Sequence, residues 1–275
     1  MSASFGRGLH AAAGRAVDLS AYDRYLGRWS RLTVPDLLAA SEIMQGHRVL
    51  DVASGTGEAA STAIQIVGSA GFVVGADISL EMLQSARIRL DQSSYSAVNA
   101  EGQALPFKNG AFDAVVCQLG LQFFPTPAAG LAEFRRVVRA GGIVAVCVNA
   151  TSDRLPMWGN LADAMDRFLT NEQRKVLALS WALADPGRLE RLFRNAGFQD
   201  IHTKQIRREG TIDGFEDYWA PIEEGVGQIP QAYHALSETD RRAVREDVRT
   251  RLAQYEAADG KLTMSVEMLI GRGRA

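Results

Sequence analysis

Val49-Leu50-Asp51-Val52-Ala53-Ser54-Gly55-Thr56-Gly57-Glu58 runs an apolar strand into glycines and then directly into a helical pattern. Glycine lets the backbone turn sharply and approach a ligand with no Cβ in the way, and the helix that follows offers unpaired N–H groups at its start. A cofactor bearing a nucleoside is the expected guest. Gly55-x-Gly57-x-x-Ala60 equally fits the dinucleotide-binding fingerprint, with its tolerated alanine at the third position. The loop alone is therefore divided between a cofactor site and a tight turn.

Later segments return to this turn. Val73-Val74-Gly75-Ala76-Asp77 reads as a second buried strand ending in an acid, about 20 residues past the loop, where an acid receives a pair of ribose hydroxyls. The segment Tyr95-Ser96-Ala97-Val98-Asn99-Ala100-Glu101-Gly102-Gln103-Ala104-Leu105-Pro106-Phe107 ends another strand with an acid, and Phe112-Asp113-Ala114-Val115-Val116-Cys117 supplies a fourth.

In this combination the chain resembles the class I S-adenosylmethionine-dependent methyltransferases, in particular the "methyltransferase domain 11" group of small-molecule enzymes. The resemblance runs by motif over residues 22–148 and by order of elements beyond. It implies that Asp51, Ala53, Gly55 and Gly57 line the methionine and ribose side and that Asp77 takes the ribose hydroxyls. It further implies that Ile78 packs on the adenine, that Glu101, followed by Gly102 in the same cofactor set, faces the exocyclic amine, and that Gln118 sits beside the methionine moiety. Many relatives have Gly-Cys or Gly-Ser where Ala53-Ser54 stands, Asp where Glu101 stands and His where Gln122 stands; the last departure removes a candidate catalytic imidazole. A Tyr-Asp-Arg-Tyr…Gly-Arg-Trp-Ser-Arg segment from Tyr22 is similar to the leader of many relatives. It would cover the cofactor and offer Arg28 or Arg31 to its carboxylate, since an arginine can meet a carboxylate with two parallel hydrogen bonds. Packing of Tyr22, Tyr25 and Trp29 onto the core is the competing reading.

Composition narrows the function classes. A chain of 275 residues with 47% hydrophobic content can bury a full core. A net charge of −2 and a pI near 6.1 give no broad attraction for nucleic acid, whose backbone demands clustered Lys and Arg; no nucleic-acid partner is expected. Cys117 and Cys147 lie near the ends of apolar runs, where free cysteine behaves as a small apolar residue, so a cytoplasmic chain without disulfides is expected. His10, His47, His202 and His234 show no metal-ligand spacing, so no metal is expected. No stretch reaches the ~18 apolar residues of a spanning helix. Residues 1–16 are small, Arg-containing and free of acids, faintly like a transit peptide, but a frayed terminus is the simpler expectation.

The order of elements predicts the fold class: α/β, doubly wound, with a mostly parallel seven-stranded sheet and an antiparallel last strand, N-terminal helices, and a helical insertion before the last strand. Strands are expected over residues 48–52, 72–76, 95–100, 112–117 and 143–148, alternating with helices over 58–67, 80–91 and 127–139, an alternation that means parallel strands with crossovers. Two short N-terminal helices precede them, the second begun by Pro35. The helix over 127–139 is expected to stop at Ala140-Gly141-Gly142. Helices over 155–169 and from Asp185-Pro186-Gly187 to Gly197 come next, then strands over 198–207 and 261–272. The organisation expected is a flexible N-terminus, 1–19, and one domain, 20–275, with helical cap segments 20–45 and 209–260. Ser237 should cap a helix within the insertion, and Phe215, Tyr218 and Trp219 either pin the insertion to the core or roof a site.

Methyl transfer from a sulfonium is an in-line displacement in which a protein mainly aligns the partners and excludes water. The expected activity is transfer from S-adenosylmethionine to an O, C or N nucleophile of a small hydrophobic or aromatic acceptor. Its site would be built from residues 22–29, 118–124, the Met157-Trp158 region and 209–260. No catalytic base is assigned: Gln118 and Gln122 cannot serve, His202 and His234 stand alone, and Asp153 suits a helix cap. An NAD-dependent oxidoreductase using Gly55, Gly57, Ala60 and Asp77 and a non-catalytic methyltransferase-like protein are the alternatives, and a homodimer is left open.

Overall fold

Unbroken apolar runs demand burial on both faces of a sheet, and the strands obey. In the computed structural model, which describes residues 19–225 and 227–275, seven strands form one sheet in the order β3-β2-β1-β4-β5-β7-β6. They are β1 (Arg48–Val52), β2 (Phe72–Asp77), β3 (Tyr95–Asn99), β4 (Phe112–Gln118), β5 (Val138–Asn149), β6 (Gln199–Ile212) and β7 (Leu262–Arg274). The first five pair in parallel, and β7 runs antiparallel to both β5 and β6. Strand order reverses between β1 and β4, so their carboxyl ends flank the crevice in which open α/β sheets bind ligands.

Alternation sends successive side chains to opposite layers. Val49, Val116, Ala145 and Cys147 face one core, with Leu37, Trp158 and Trp219. Leu50, Val115, Val144 and Val146 face the other, closed by Phe134 and Phe193 of the helices Pro127–Val137 and Pro186–Asn195. Both cysteines are free and buried; burial pushes the Cys147 thiol up to about 12, so it stays protonated and packs as an apolar residue. Pro35 stands in the first turn of the helix Val34–Ala40 as expected. Residues 19–33, however, are wound as one helical path with a π-helical turn at Asp23–Gly27.

Several boundaries differ from the sequence reading. The helix Pro127–Val137 stops before the glycines: Val138 is already extended, and Gly141 (φ 74°) lies in the irregular first part of β5, where its register against β4 shifts. The antiparallel pair runs further than expected, to Ile212 opposite Leu262, with the hydroxyls of Thr211 and Thr263 2.9 Å apart. The insertion therefore begins at 213 and not at 209. Gly210 permits this, because a Cβ there would lie 2.5 Å from the Trp29 ring. A helix at Asn171–Ala178, closed by a Thr170–Gln173 capping box, was not anticipated. Ser237 does cap its helix, accepting from the Asp240 N–H at 3.1 Å. The flexible N-terminus expected over residues 1–19 lies, save for its last residue, outside the described residues.

Candidate functional site

The chain leaves β1 through three left-handed residues, Ala53 (φ 56°), Gly55 (φ 53°) and Gly57 (φ 86°), and leaves β4 through another, Leu119 (φ 55°). Alanine and leucine adopt this region at a cost of about 1–3 kcal/mol, a strain that collects at functional sites. Gly120 completes the fit: a Cβ there would meet that of Ala53 at 2.4 Å, so its absence lets the two turns close against each other.

Above this edge lies a cavity whose floor holds two buried carboxylates. Asp51 Oδ2 accepts the Ala60 N–H at 3.1 Å, satisfying one of the open donors at the start of the helix Glu58–Val67. Its Oδ1 is buried without a partner among the described residues. Burial, with a smaller contribution from the Asp77 charge, pushes the Asp51 carboxyl up to about 8 despite that hydrogen bond. Asp77 ties the loop to β2: Oδ2 accepts from Gly55 N–H and Oδ1 from Ser79 N–H, both at 2.8 Å. Burial raises its carboxyl as well, against these donors. Each of its oxygens keeps lone-pair capacity for a further donor.

Of the residues expected to hold the cofactor, Asp51, Ala53, Gly55 and Asp77 line the cavity, and so do Ile78, Gly102, Gln118 and Tyr22. Ile78 is 37% exposed, a large apolar side chain left open at this edge. The Tyr22 hydroxyl lies 3.5 Å from the position a Cβ on Gly55 would take, so the N-terminal segment covers the loop. Desolvation, then the nearby Asp77 and Glu58 charges, push that hydroxyl well above its usual pKa and keep it a neutral donor. Gln118 donates to the Ser30 carbonyl at 2.8 Å and to the Thr33 hydroxyl at 3.2 Å, holding that segment against β4.

The structure keeps three of the expected residues out of the lining. Gly57 serves the turn, where a Cβ would press on the Leu90 side chain at 2.8 Å. The Glu101 carboxylate accepts from Gln103 at 2.6 Å, while its neighbours Ala100 and Gly102 face the cavity. Arg31 is held by Asp23 and by Glu58 (3.4 Å), and the other candidate, Arg28, by Asp217 at 2.8 Å. Among the described residues no Arg, Lys or His lines the cavity.

The far end of the cavity is aromatic and amide-bearing, with Tyr25, Phe123, Trp158 and Trp181 beside Gln122 and Asn149. The insertion reaches it through Gly227, Gln228 and Ile229. Trp219 and Tyr218 do not roof it. Trp219 is stacked on Phe215 and edge-on to Tyr233, and the Tyr218 hydroxyl donates to the Met157 carbonyl at 2.9 Å. These residues pin the insertion to the core. His202 and His234 also lie outside the lining, as does Asp153. Sequence reasoning missed Asn149, Ser180 and Trp181. Asn149 carried a signal, as the first polar side chain after the apolar run of β5. Among the described residues no cluster of His, Cys, Asp or Glu could hold a metal ion, and no helix is long and apolar enough to cross a membrane.

Comparison with known proteins matches residues 28–210 to the model of the ubiE/COQ5 methyltransferase family. The chain is similar to the demethylmenaquinone methyltransferase of Staphylococcus saprophyticus, 28% identical over 176 residues covering 60% of this chain and 75% of the relative. It is likewise similar to that of Staphylococcus aureus strain Newman, 28% identical over 190 residues covering 65% and 77%. In fold it resembles Haemonchus contortus phosphoethanolamine N-methyltransferase 2, solved with phosphomonomethylethanolamine and S-adenosylhomocysteine: TM-score 0.53, 16% identity, 94% of this chain and 60% of that one. A SAM-dependent methyltransferase from Aquifex aeolicus superposes with TM-score 0.50 at 15% identity, over 67% of this chain and 90% of that one. The family match decides between the readings of the loop, against a dinucleotide-dependent oxidoreductase.

Proposed function

This chain belongs to the ubiE/COQ5 methyltransferase family and is an S-adenosylmethionine-dependent methyltransferase, and from that premise we propose that its acceptor is a small hydrophobic or aromatic molecule methylated at an O, C or N nucleophile by in-line displacement. The observation that carries this reading is a single cavity joining the Asp51–Asp77 edge to the aromatic chamber of Tyr25, Phe123, Trp158 and Trp181. A site so lined suits a flat apolar acceptor. The relatives named for demethylmenaquinone act on a molecule of that kind.

The residues present fit the cofactor. The partnerless Asp51 Oδ1 and the remaining lone pairs of Asp77 can receive its donors, and Ile78 and Gly102 leave an apolar slot beside them. Bound there, S-adenosylmethionine supplies a sulfonium methyl carbon that passes to the acceptor's lone pair or enol carbon, while the electrons of the broken S–C bond stay on sulfur. The chain's part is alignment and exclusion of water. Tyr22 and the helical segment around it close one side, and residues 227–229 the other. Holding reactants in line in this way contributes ~7–11 kcal/mol to lowering a barrier. Apart from Tyr25, the acceptor end as formed by the described residues holds no ionisable side chain.

The test is incubation of the protein with methyl-labelled cofactor and a metabolite extract, followed by mass spectrometry. Label is expected in apolar or aromatic small molecules, and Trp158→Ala is expected to lower that transfer with cofactor affinity kept. Label confined to protein or nucleic acid contradicts the reading.

A further inference from the structure

Asp51 of β1 and Gly75 of β2 stand directly opposite each other, and residues so paired point to the same face of the sheet. Gly75 has no side chain, and the space it leaves is filled from the next strand. Tyr95, the first residue of β3, lays its phenol there: a Cβ on Gly75 would collide with the Tyr95 hydroxyl and lie 2.8 Å from Ser54 Oγ. The tyrosine thus carries a hydroxyl beneath β2 to the turn that follows Asp51. Three polar atoms gather at this place, Asp51 Oδ1, Ser54 Oγ and the Tyr95 hydroxyl. All are buried, and each lacks a hydrogen-bond partner among the described residues.

Buried polar groups are nearly always hydrogen-bonded, so three orphans in one place need a cause. Packing supplies none, because a phenylalanine ring would fill the space over Gly75 as well. Charge supplies one. Burial, then the Asp51 charge, pushes the Tyr95 hydroxyl up to about 12, with the Ser54 hydroxyl pulling the other way. It stays a neutral donor beside an acid. The other ionisable groups coupled to Asp51 are Asp77 on β2 and the Cys117 thiol on β4. None of the three can become a cation, so an ionised Asp51 depends on neutral donors. The Ala60 N–H serves its Oδ2, and the two hydroxyls are the unused donors on this side of the sheet.

We propose that Tyr95 and Ser54 are positioning residues that act on the cofactor through Asp51: once the carboxylate forms, Tyr95 donates to Ser54 Oγ and Ser54 donates to Asp51 Oδ1. In the ligand-free protein Oδ2 accepts from Ala60, which leaves the carboxyl proton to Oδ1, and the hydroxyls have no anion to face. Binding sends that proton to solvent, and both hydroxyls turn about their C–O bonds to donate in series. Oδ1 has two lone pairs and keeps one for a donor on the cofactor. Ser54 lines the cavity and Tyr95 does not, so the tyrosine reaches the cofactor only through this relay. The proposal concerns the cofactor end and is independent of the acceptor's identity.

Calorimetric titration with S-adenosylmethionine at pH 7 and pH 9 tests it, in wild type, Tyr95→Phe and Ser54→Ala. The ligand-free Asp51 carboxyl titrates at about 8, so binding at pH 7 has to ionise it. Each variant should then bind ~10-fold more weakly than wild type, as for one lost hydrogen bond to a charged group. At pH 9 Asp51 is largely ionised before binding, the hydroxyls serve free and bound protein alike, and the loss should shrink to about two-fold. The double variant should lose little more than either single one, because the hydroxyls act in series. In an Asp51→Asn background, Tyr95→Phe should change affinity by less than about two-fold. Each variant deletes an unpaired buried hydroxyl, so ligand-free melting temperatures should hold or rise; should one fail to fold, the other carries the test. Normal affinity of a folded Tyr95→Phe protein at pH 7 overturns the proposal. So does a loss equal at the two pH values, or equal in the Asp51→Asn background, since either makes Tyr95 a packing residue. A wild-type protein that does not bind S-adenosylmethionine removes the cofactor edge itself, and this relay with it.

Discussion

Asp51 shows how one buried side chain couples fold to ligand. Its carboxyl caps the helix start through Ala60 and is raised to about 8 by burial. In the unfolded chain it titrates near 3.8. Between those values the folded protein holds the proton more tightly than the unfolded one, so the group's contribution to stability is full below about pH 4. It declines as pH rises towards 8. The cofactor's positive charges favour the ionised form. Binding at pH 7 should therefore expel close to ~1 proton, visible as a calorimetric enthalpy that varies with the buffer's ionisation enthalpy. Asp51→Asn should remove that dependence and flatten the loss of ligand-free stability from pH 5 to 8. A wild-type enthalpy independent of buffer would mean that Asp51 keeps its protonation state on binding.

At the scale of elements, the N-terminal helical segment and the insertion meet over the cavity and are joined by two arginines. Arg24 forks onto Glu224 at 2.6 and 2.8 Å, but both side chains are over a third exposed, and such pairs contribute about 0–1 kcal/mol. Arg28 is 19% exposed and makes three hydrogen bonds to Asp217, two to its carboxylate and one to its carbonyl. It is the stronger tie, worth ~1.5–3 kcal/mol. Arg28→Met, which keeps most of the stem, should speed amide exchange across residues 215–234 and raise the acceptor KM with little change in cofactor Kd. Exchange left as in the wild type would show that the aromatic packing of Trp219 alone fixes the insertion. These arginines also show where sequence reading stops. Strands β1 to β5 were legible because their apolar runs and terminal acids are local signals. The partner of an arginine is decided by which carboxylate tertiary packing delivers: Asp217 lies 189 residues from Arg28. The same holds for Trp219, whose aromaticity suited a roof or a pin equally until Phe215 and Tyr233 closed around it, and for Asn149, which reads as polar punctuation until Ser180 orients it.

Taken whole, the molecule divides its labour along the sheet. The parallel half brings Asp51, Asp77 and the left-handed turn to one edge, and β6 and β7 anchor the insertion that roofs it. The family match, residues 28–210, takes in the Asp51–Asp77 edge and the aromatic residues Phe123, Trp158 and Trp181, and stops ahead of the insertion, so Gly227, Gln228 and Ile229 of the lining lie beyond it. The Asp51–Asp77 edge was readable because its residues stand in local motifs at strand ends, whereas Asn149, Ser180 and Trp181 are brought to the cavity only by tertiary packing. The central claim, that this edge receives S-adenosylmethionine and that Asp77 anchors it, is met most directly by calorimetric titration of wild-type and Asp77→Ala protein with S-adenosylmethionine and, separately, with NAD. The account predicts saturable single-site binding of S-adenosylmethionine, none of NAD, and an affinity ~10–100-fold weaker in the folded variant, as expected for lost hydrogen bonds to a charged group. Tight NAD binding with no response to S-adenosylmethionine, or an Asp77→Ala protein that binds the cofactor as tightly as the wild type, would contradict it.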